Sequence, residues 1–174
     1  TKRVVITREL PGPHEVPGAS VTMAPDSRMP RAELLRFIRG ADVVISMFYD
    51  KVDDEFLDAA GPQLKGVCNY AVGYNNFDLG ACKRRNVLVT NTPDAVTEGT
   101  ANLAFALILD VARRLAEADR YVRTGAFERD GNPGPKGWMG MHLTGQELLI
   151  VGPGRIGRAV ALRALAFGMR IAYA

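Results

Sequence analysis

Two cysteines and two histidines in 174 residues leave little material for a disulfide framework or a metal centre. Cys68 and Cys82 match no metal-ligand spacing and read as reduced, buried thiols. His14 and His142 have neither a cysteine nor a second histidine beside them, so both read as loop histidines without metal or catalytic duty. No apolar run approaches the ~18 residues that a membrane span requires. The opening stretch TKRVVITREL is a short charged strand with no signal-peptide centre. Charge of one sign is also scarce: 22 basic residues stand against 19 acidic ones, for a net charge of +3. The longest basic run, Lys83-Arg84-Arg85, falls where a helix should end and suits its dipole. Nothing here forms a nucleic-acid patch. The expectation is a cytoplasmic protein that binds neither nucleic acid nor membrane.

What is present is ordinary for a globular chain, with 47% hydrophobic and 24% charged residues. The first part alternates short Val- and Ile-rich stretches with amphipathic ones. Strands are expected at Arg3 to Thr7, Ser20 to Met23, Val43 to Met47, Gly66 to Asn69 and Val87 to Thr90. Between them, Pro30 opens a helix at its first position, with Leu34, Leu35 and Ile38 inward and Gly40 beyond its end. A second helix has Asp53 as N-cap, two further acids in its first turn and Gly61 as its stop. A third follows Asp78 and finishes in Lys83-Arg84-Arg85 and Asn86. Such alternation specifies an α/β fold with a mostly parallel sheet and helices on both faces.

The rhythm then changes. Glu98 to Thr124 reads as one helix, roughly 40 Å long at 1.5 Å per residue, ended by Gly125. Leu103, Leu107, Val111 and Leu115 lie along one edge and Ala104, Ile108 and Ala118 beside it. A helix so apolar is expected to be covered by more than one partner. Gly125 to Gly145 is rich in glycine and proline and reads as loop. Its Phe127, Trp138, Met139, Met141 and Leu143 call for packing against something. A strand from Glu147 to Val151, a glycine turn, a helix to Gly168 and a strand from Met169 to Tyr173 complete a β-α-β unit. The expected division is residues 1–93 and 94–174, the second being only the beginning of a domain.

The turn GPGRIG follows the apolar strand LLIV and enters the helix AVALRALAFG, the context in which G-x-G-x-x-G carries meaning. Gly152 would permit the tight turn, Gly154 would let a pyrophosphate approach the backbone, and Gly157 would let helix and strand pack closely. Pro153 has no N–H to offer, so an anion would take its hydrogen bonds from residues 154 to 156. Arg155 and Ile156 stand at the helix N-terminus, where the dipole favours negative charge. The acidic residue that would recognise a ribose belongs just after Ala174, which leaves NAD against NADP open.

Four stretches, NYAVGYNNFDLGAC (69 to 82), VLVTNTPDAVTEGTANLAFALILDVARR (87 to 114), GPGRIG (152 to 157) and AFGMRIAY (166 to 173), together resemble the D-2-hydroxyacid dehydrogenases, nearest the glyoxylate/hydroxypyruvate reductases. The resemblance implies a flavodoxin-like substrate domain over residues 1–93 and the first part of a Rossmann domain after it. It also implies a cleft for NAD or NADP and a small 2-oxo or 2-hydroxy acid, and a homodimer formed through the long helix. By the same resemblance, Val72 and Gly73 would present amides to the substrate carboxylate, with Val72 also near the nicotinamide. Thr100 would lie beside the cofactor, and Arg155 and Ile156 would hold its pyrophosphate. From the residues alone AVGYNN reads as a turn in which Gly73 supplies φ > 0 or close approach of an anion. Met47, Phe48 and Tyr49 end a strand where ligands collect in α/β sheets.

Two departures stand out. Gln146-Glu147-Leu148-Leu149 replaces the family's usual Lys-Thr-Leu-Gly, so Leu149 stands for a small residue. The family's catalytic arginine, histidine and carboxylate have no counterpart in residues 1–174, so no catalytic residue is assigned and the chain alone is expected to be inactive. Three readings remain open: an oxidoreductase present as its N-terminal portion, an NAD(H)-sensing corepressor-like protein of the same fold, and a natural truncated product. Phosphite or formate dehydrogenase-like chemistry is a variant of the first, and Val72 in place of a polar group argues against phosphite.

Overall fold

The computed structural model describes residues 1–131, 134 and 136–174. Two compact units result, Thr1–Ala95 and Val96–Ala174.

In the first unit the elements run β1 (Lys2–Ile6), β2 (Ala19–Met23), α1 (Arg31–Phe37), β3 (Val43–Met47), α2 (Asp54–Ala60), β4 (Gly66–Tyr70), α3 (Leu79–Arg84) and β5 (Leu88–Thr90). All five strands are parallel, in the order β2-β1-β3-β4-β5, which is the flavodoxin-like order. The three helical crossovers all advance in the same direction across the sheet. Right-handed connection therefore puts α1, α2 and α3 on one face, not on both as the alternation suggested, because the β1–β2 connection holds no helix. Strand period decides which residues meet them: Val5, Val44 and Val67 are fully buried with Ile38 and Phe56. The opposite side chains, Val4, Ile6, Ile45 and Cys68, border a cavity of about 390 Å³ under the β1–β2 connection. Burial pushes the Cys82 thiol above its usual pKa.

Local signals fix the helix ends. Pro30 sits one place earlier than expected, as the cap of α1. Asp53 accepts from Phe56 N–H at 3.1 Å, Asp78 accepts from Ala81 N–H at 2.8 Å, and Gly61 ends α2 at φ 104°. Burial alone would raise the Asp53 pKa, but the Phe56 amide, Lys51 and Arg31 outweigh it and hold the carboxyl below its usual value. A depressed carboxylate pKa means stability that is complete above the unfolded value and fades as pH falls through the folded one. Asp53→Ala is expected to cost about 1–2 kcal/mol at neutral pH and less in acid. Urea melts at two pH values would check this, and an equal cost at both would disprove the ionic part.

The second unit contains α4 (Thr97–Arg113), α5 (Leu115–Arg123), α6 (Ala126–Asp130), β6 (Glu147–Ile150), α7 (Arg155–Ala166) and β7 (Arg170–Tyr173), with β6 and β7 parallel. The single helix expected from Glu98 to Thr124 is two helices. Arg114 between them is left-handed, φ 57° and ψ 39°, a conformation that costs a non-glycine residue roughly 1–2 kcal/mol. Tertiary contacts explain it. The Ala112 carbonyl, which a continuous helix would give to Ala116 N–H, accepts from Met141 N–H at 2.7 Å. Ala116 N–H donates instead to Asp110 Oδ1 at 2.7 Å. The Arg114 guanidinium donates to Gly137 O and to both Glu117 oxygens and lies 4.9 Å from the Trp138 ring centroid.

Gly125 does not simply end the helix: at φ 69° it caps α6, so the expected loop begins with a helical turn. The two prolines of that loop lie outside the described residues. Trp138 packs on Tyr121 and Leu143 is buried, whereas Phe127, Met139 and Met141 stay exposed. One face of α4 packs on α7 through Ala101, Phe105, Ala159 and Ala164. The stripe expected to be covered, Leu103, Leu107 and Val111 with Leu115 on α5, is exposed within this chain. No helix of the described residues is long and apolar enough to cross a membrane.

Candidate functional site

The residues singled out by sequence fall on both units. Val72 and Gly73 lie on the first, whereas Thr100 and the glycine turn lie on the second.

Strands β3 and β4 end side by side, with Met47 paired to Tyr70. The chain leaves β4 into Ala71-Val72-Gly73, and the three carbonyls of that segment are all tied to the domain. Ala71 O accepts from Thr92 N–H at 2.9 Å, Val72 O from Asn91 Nδ2 at 2.8 Å, and Gly73 O from Asn69 Nδ2 at 2.7 Å. Among the described residues none accepts from the N–H of Val72, Gly73 or Tyr74. Gly73 is exposed, its φ is not in the left-handed region, and a Cβ built on it would meet nothing within 4 Å. The turn therefore does not need glycine for positive φ; what glycine leaves is open space above the backbone.

Next to it, Met47 is buried, Phe48 is exposed and Tyr49 is half-buried, its ring edge-to-face with Phe48. Arg28 stacks on the Tyr49 ring, and Arg8 donates to the Tyr49 hydroxyl at 3.2 Å and to Asp26. The Tyr49 hydroxyl, and then Asp26, hold the Arg8 guanidinium pKa above its ordinary value. Sequence reasoning missed both arginines. Their signal was only their position just after β1 and β2, at the ends of strands where α/β sheets bind ligands.

On the second unit the three glycines of the turn have three different geometries. Gly152 is left-handed at φ 87°. Gly154, at φ −75°, caps α7, and a Cβ there would meet nothing within 4 Å. At Gly157 a Cβ would fall 2.6 Å from Gly152 O and 3.0 Å from Ile150 Cγ2, so the helix can cross the strand only without a side chain. Gly154 N–H donates to Gly152 O at 2.9 Å, which closes the turn. This corrects the expectation that residues 154 to 156 all face an anion, because the Gly154 amide is committed within the turn. Helical bonding starts with Arg158 N–H to Gly154 O at 2.9 Å, and Arg158 Nε donates to Pro153 O. The first turn of α7, with Arg155 and Ile156, thus presents the positive end of its dipole at the open side of Gly154.

Thr100 is exposed in the first turns of α4. Arg163 bonds Glu98 and Asn102 while also donating to Ala159 O, so this part of α4 lies against the middle of α7. Thr100 lies between Glu98 and Asn102 in sequence, on the stretch of α4 that Arg163 ties to α7. His14 borders the first unit's cavity and His142 is exposed. Among the described residues no three His, Cys, Asp or Glu side chains gather as a metal site. Leu149 is exposed on β6.

Residues 6–167 match the profile of the D-isomer specific 2-hydroxyacid dehydrogenase catalytic domain. The chain belongs to that family. A glyoxylate reductase of Thermococcus kodakarensis is 46% identical over 155 residues, covering 88% of this chain and 46% of the relative. A glyoxylate reductase of Pyrococcus horikoshii is 40% identical over 182 residues, covering 98% and 52%. Among solved structures, a protein of Thermus thermophilus superimposes with a TM-score of 0.89 at 41% identity, over 98% of this chain and 55% of that one. The D-lactate dehydrogenase of Aquifex aeolicus, crystallised with NAD and lactic acid, gives 0.72 at 26% identity, over 99% and 50%. The chain spans about half the length of the curated relatives it matches.

Proposed function

We propose that this chain supplies the substrate-carboxylate site and the pyrophosphate site of an NAD(P)-dependent oxidoreductase that acts on a small 2-oxo or 2-hydroxy acid, glyoxylate or hydroxypyruvate. The observation that carries the reading is the glycine turn of a chain in a family of dehydrogenases: backbone angle requires glycine at Gly152, close packing requires it at Gly157, and Gly154 leaves open space. The turn suits a dinucleotide: a Cβ at Gly154 would fill the space that a phosphate needs, and the helix dipole favours the anion there. On this reading Gly152, Gly154 and Gly157 shape the cradle. Arg155 and Ile156 hold the pyrophosphate, and Thr100 lies beside the cofactor farther along. When bound, NAD(P)H would supply hydride chemistry toward C2 of the acid. Val72 and Gly73 would orient that acid by donating their amides to its carboxylate, and the Val72 side chain is the cofactor contact proposed for this unit. Residues 1–93 then serve the substrate and residues 94–174 the cofactor.

No residue of this chain is assigned proton transfer, and no metal is needed by the reading. The relatives are named as reductases, which favours catalysis over a corepressor-like role. The exposed stripe Leu103, Leu107 and Val111 supports a homodimer through α4. A cytoplasmic location accords with the reading.

The test is the full-length protein. It is expected to oxidise NADH or NADPH with glyoxylate in a rate that scales with protein, and to sediment as a dimer at micromolar concentration. Folded protein that oxidises neither cofactor with any 2-oxo acid would refute the function, and a monomer would refute the dimer.

A further inference from the structure

A carboxylate held by backbone amides depends on whatever fixes those amides, because a peptide plane can rotate as a unit between its two flanking bonds. In a trans peptide the C=O of one residue and the N–H of the next point in opposite directions, and no described peptide is cis. Tying the carbonyls of Ala71, Val72 and Gly73 to the domain therefore aims the N–H groups of Val72, Gly73 and Tyr74 outward. The first of these planes is held by backbone, through Thr92 N–H. Side chains hold the other two: Asn91 sets the plane that carries the Gly73 N–H, and Asn69 sets the plane that carries the Tyr74 N–H.

We infer that Asn91, which fixes the peptide carrying the Gly73 N–H, and Asn69, which fixes the peptide on the other side of Gly73, are positioning residues for substrate carboxylate recognition, a role that rests on the function proposed above. Asn69 is 1% exposed, far more buried than asparagine ordinarily is. Its amide is oriented by a reciprocal pair with Asn76: Asn69 Nδ2 reaches Asn76 Oδ1 at 3.2 Å, and Asn76 Nδ2 reaches Asn69 Oδ1 at 3.4 Å. Asn76 Nδ2 also donates to Asp50 O at 2.9 Å, and the Asp50 carboxylate accepts from Met47 N–H and Thr7 Oγ1. The acceptors that face the two side-chain amides from outside the pair, Gly73 O for Asn69 and Met47 O and Asp50 O for Asn76, are backbone carbonyls, so neither asparagine can turn its amide over without facing oxygen to oxygen. The network runs from the ends of β1 and β3 to the loop after β4. It makes the outward face of residues 72 to 74 a property of the sheet and not of the loop.

Asn91 is the better position to test, since it is only half-buried and its loss threatens the fold less. In the full-length protein, Asn91→Leu keeps volume and removes the donor, and Asn91→Asp places an acceptor against the Val72 carbonyl. The informative readout is the ratio of kcat/KM for glyoxylate to that for methyl glyoxylate, which has the same reacting carbonyl without the charge. Both variants are expected to lower kcat/KM for glyoxylate by about tenfold or more, mainly through KM, with the ester's value nearly unchanged, so the ratio collapses. Asn69→Ser is expected to shift the ratio in the same direction if it folds. A merely structural role would lower acid and ester together and leave the ratio intact, which would overturn the inference. A wild-type protein that does not prefer acid to ester would refute the carboxylate site itself, a different failure from an unchanged ratio in the variants.

Discussion

Gly157→Ala is expected to weaken dinucleotide binding by the full-length protein at least about tenfold and to destabilise the second unit by about 1–3 kcal/mol, the range for overpacking a close contact. The added methyl would sit 2.6 Å from Gly152 O, a backbone atom that cannot swing away as a side chain does. Relief requires moving either α7 off β6 or the Gly152 peptide itself. The second route breaks the 2.9 Å bond from Gly154 N–H that closes the turn, in a residue already at φ 87°. Gly154→Ala makes the useful contrast. Its Cβ meets nothing and its φ of −75° suits alanine, so stability should hold while an approaching phosphate is obstructed. Thermal melts and cofactor titration by fluorescence separate the two effects. If Gly157→Ala binds NADH and NADPH as the parent does, the turn is not a phosphate cradle.

Gly73→Val is expected to leave the melting temperature unchanged and to raise KM for glyoxylate at least about tenfold, the loss of roughly one charge-assisted hydrogen bond. The backbone there has no positive φ to forbid valine, and a Cβ points into open space. Destabilisation through strain, which the sequence suggested, is therefore not the expected mechanism. The branched side chain would instead occupy the volume next to the Gly73 N–H. Val72→Ala keeps its amide and should be far milder. Cofactor KM should change little in Gly73→Val, since the glycine turn is a separate structure on the other unit, whereas Val72→Ala also trims the apolar contact proposed with the nicotinamide. Equal losses for substrate and cofactor, or a harmless Gly73→Val, would mean that a carboxylate is bound elsewhere.

The features that could be read from the sequence share one property: they are decided within a few residues. Asp53 and Asp78 cap helices because the amides they accept from lie three positions ahead. Gly152, Gly154 and Gly157 could be given different expected tasks because strand, turn and helix are consecutive. The amphipathic pattern from Glu98 to Thr124 was just as local, and it misled at one place. Nothing near Arg114 signals a left-handed residue; the cause is the Met141 amide, which arrives from 29 positions away as counted from its acceptor Ala112. The asparagine tethers were hidden for the same reason. Asn91 lies 19 residues from the carbonyl that it holds, and the sequence shows only an asparagine after a strand. Gly73 illustrates a third limit: glycine signals that a side chain is unwanted without saying whether backbone angle or space is the cause.

The junction at Arg114 makes α5 the product of a closure event. Its leading amide, that of Ala116, is capped by Asp110 only because the Ala112 carbonyl has been taken by Met141, and Arg114 is held by Gly137 and Trp138. Until the 137–141 segment docks, the sequence is free to continue as one straight helix, the arrangement its own periodicity prefers. The native hydrogen-bond register at this junction therefore comes at the cost of closing a loop of about 25–30 residues. The direction of α5 is thus coupled to the docking of residues 137–141, through the Met141–Ala112 hydrogen bond and the contacts of Arg114 with Gly137 and Trp138.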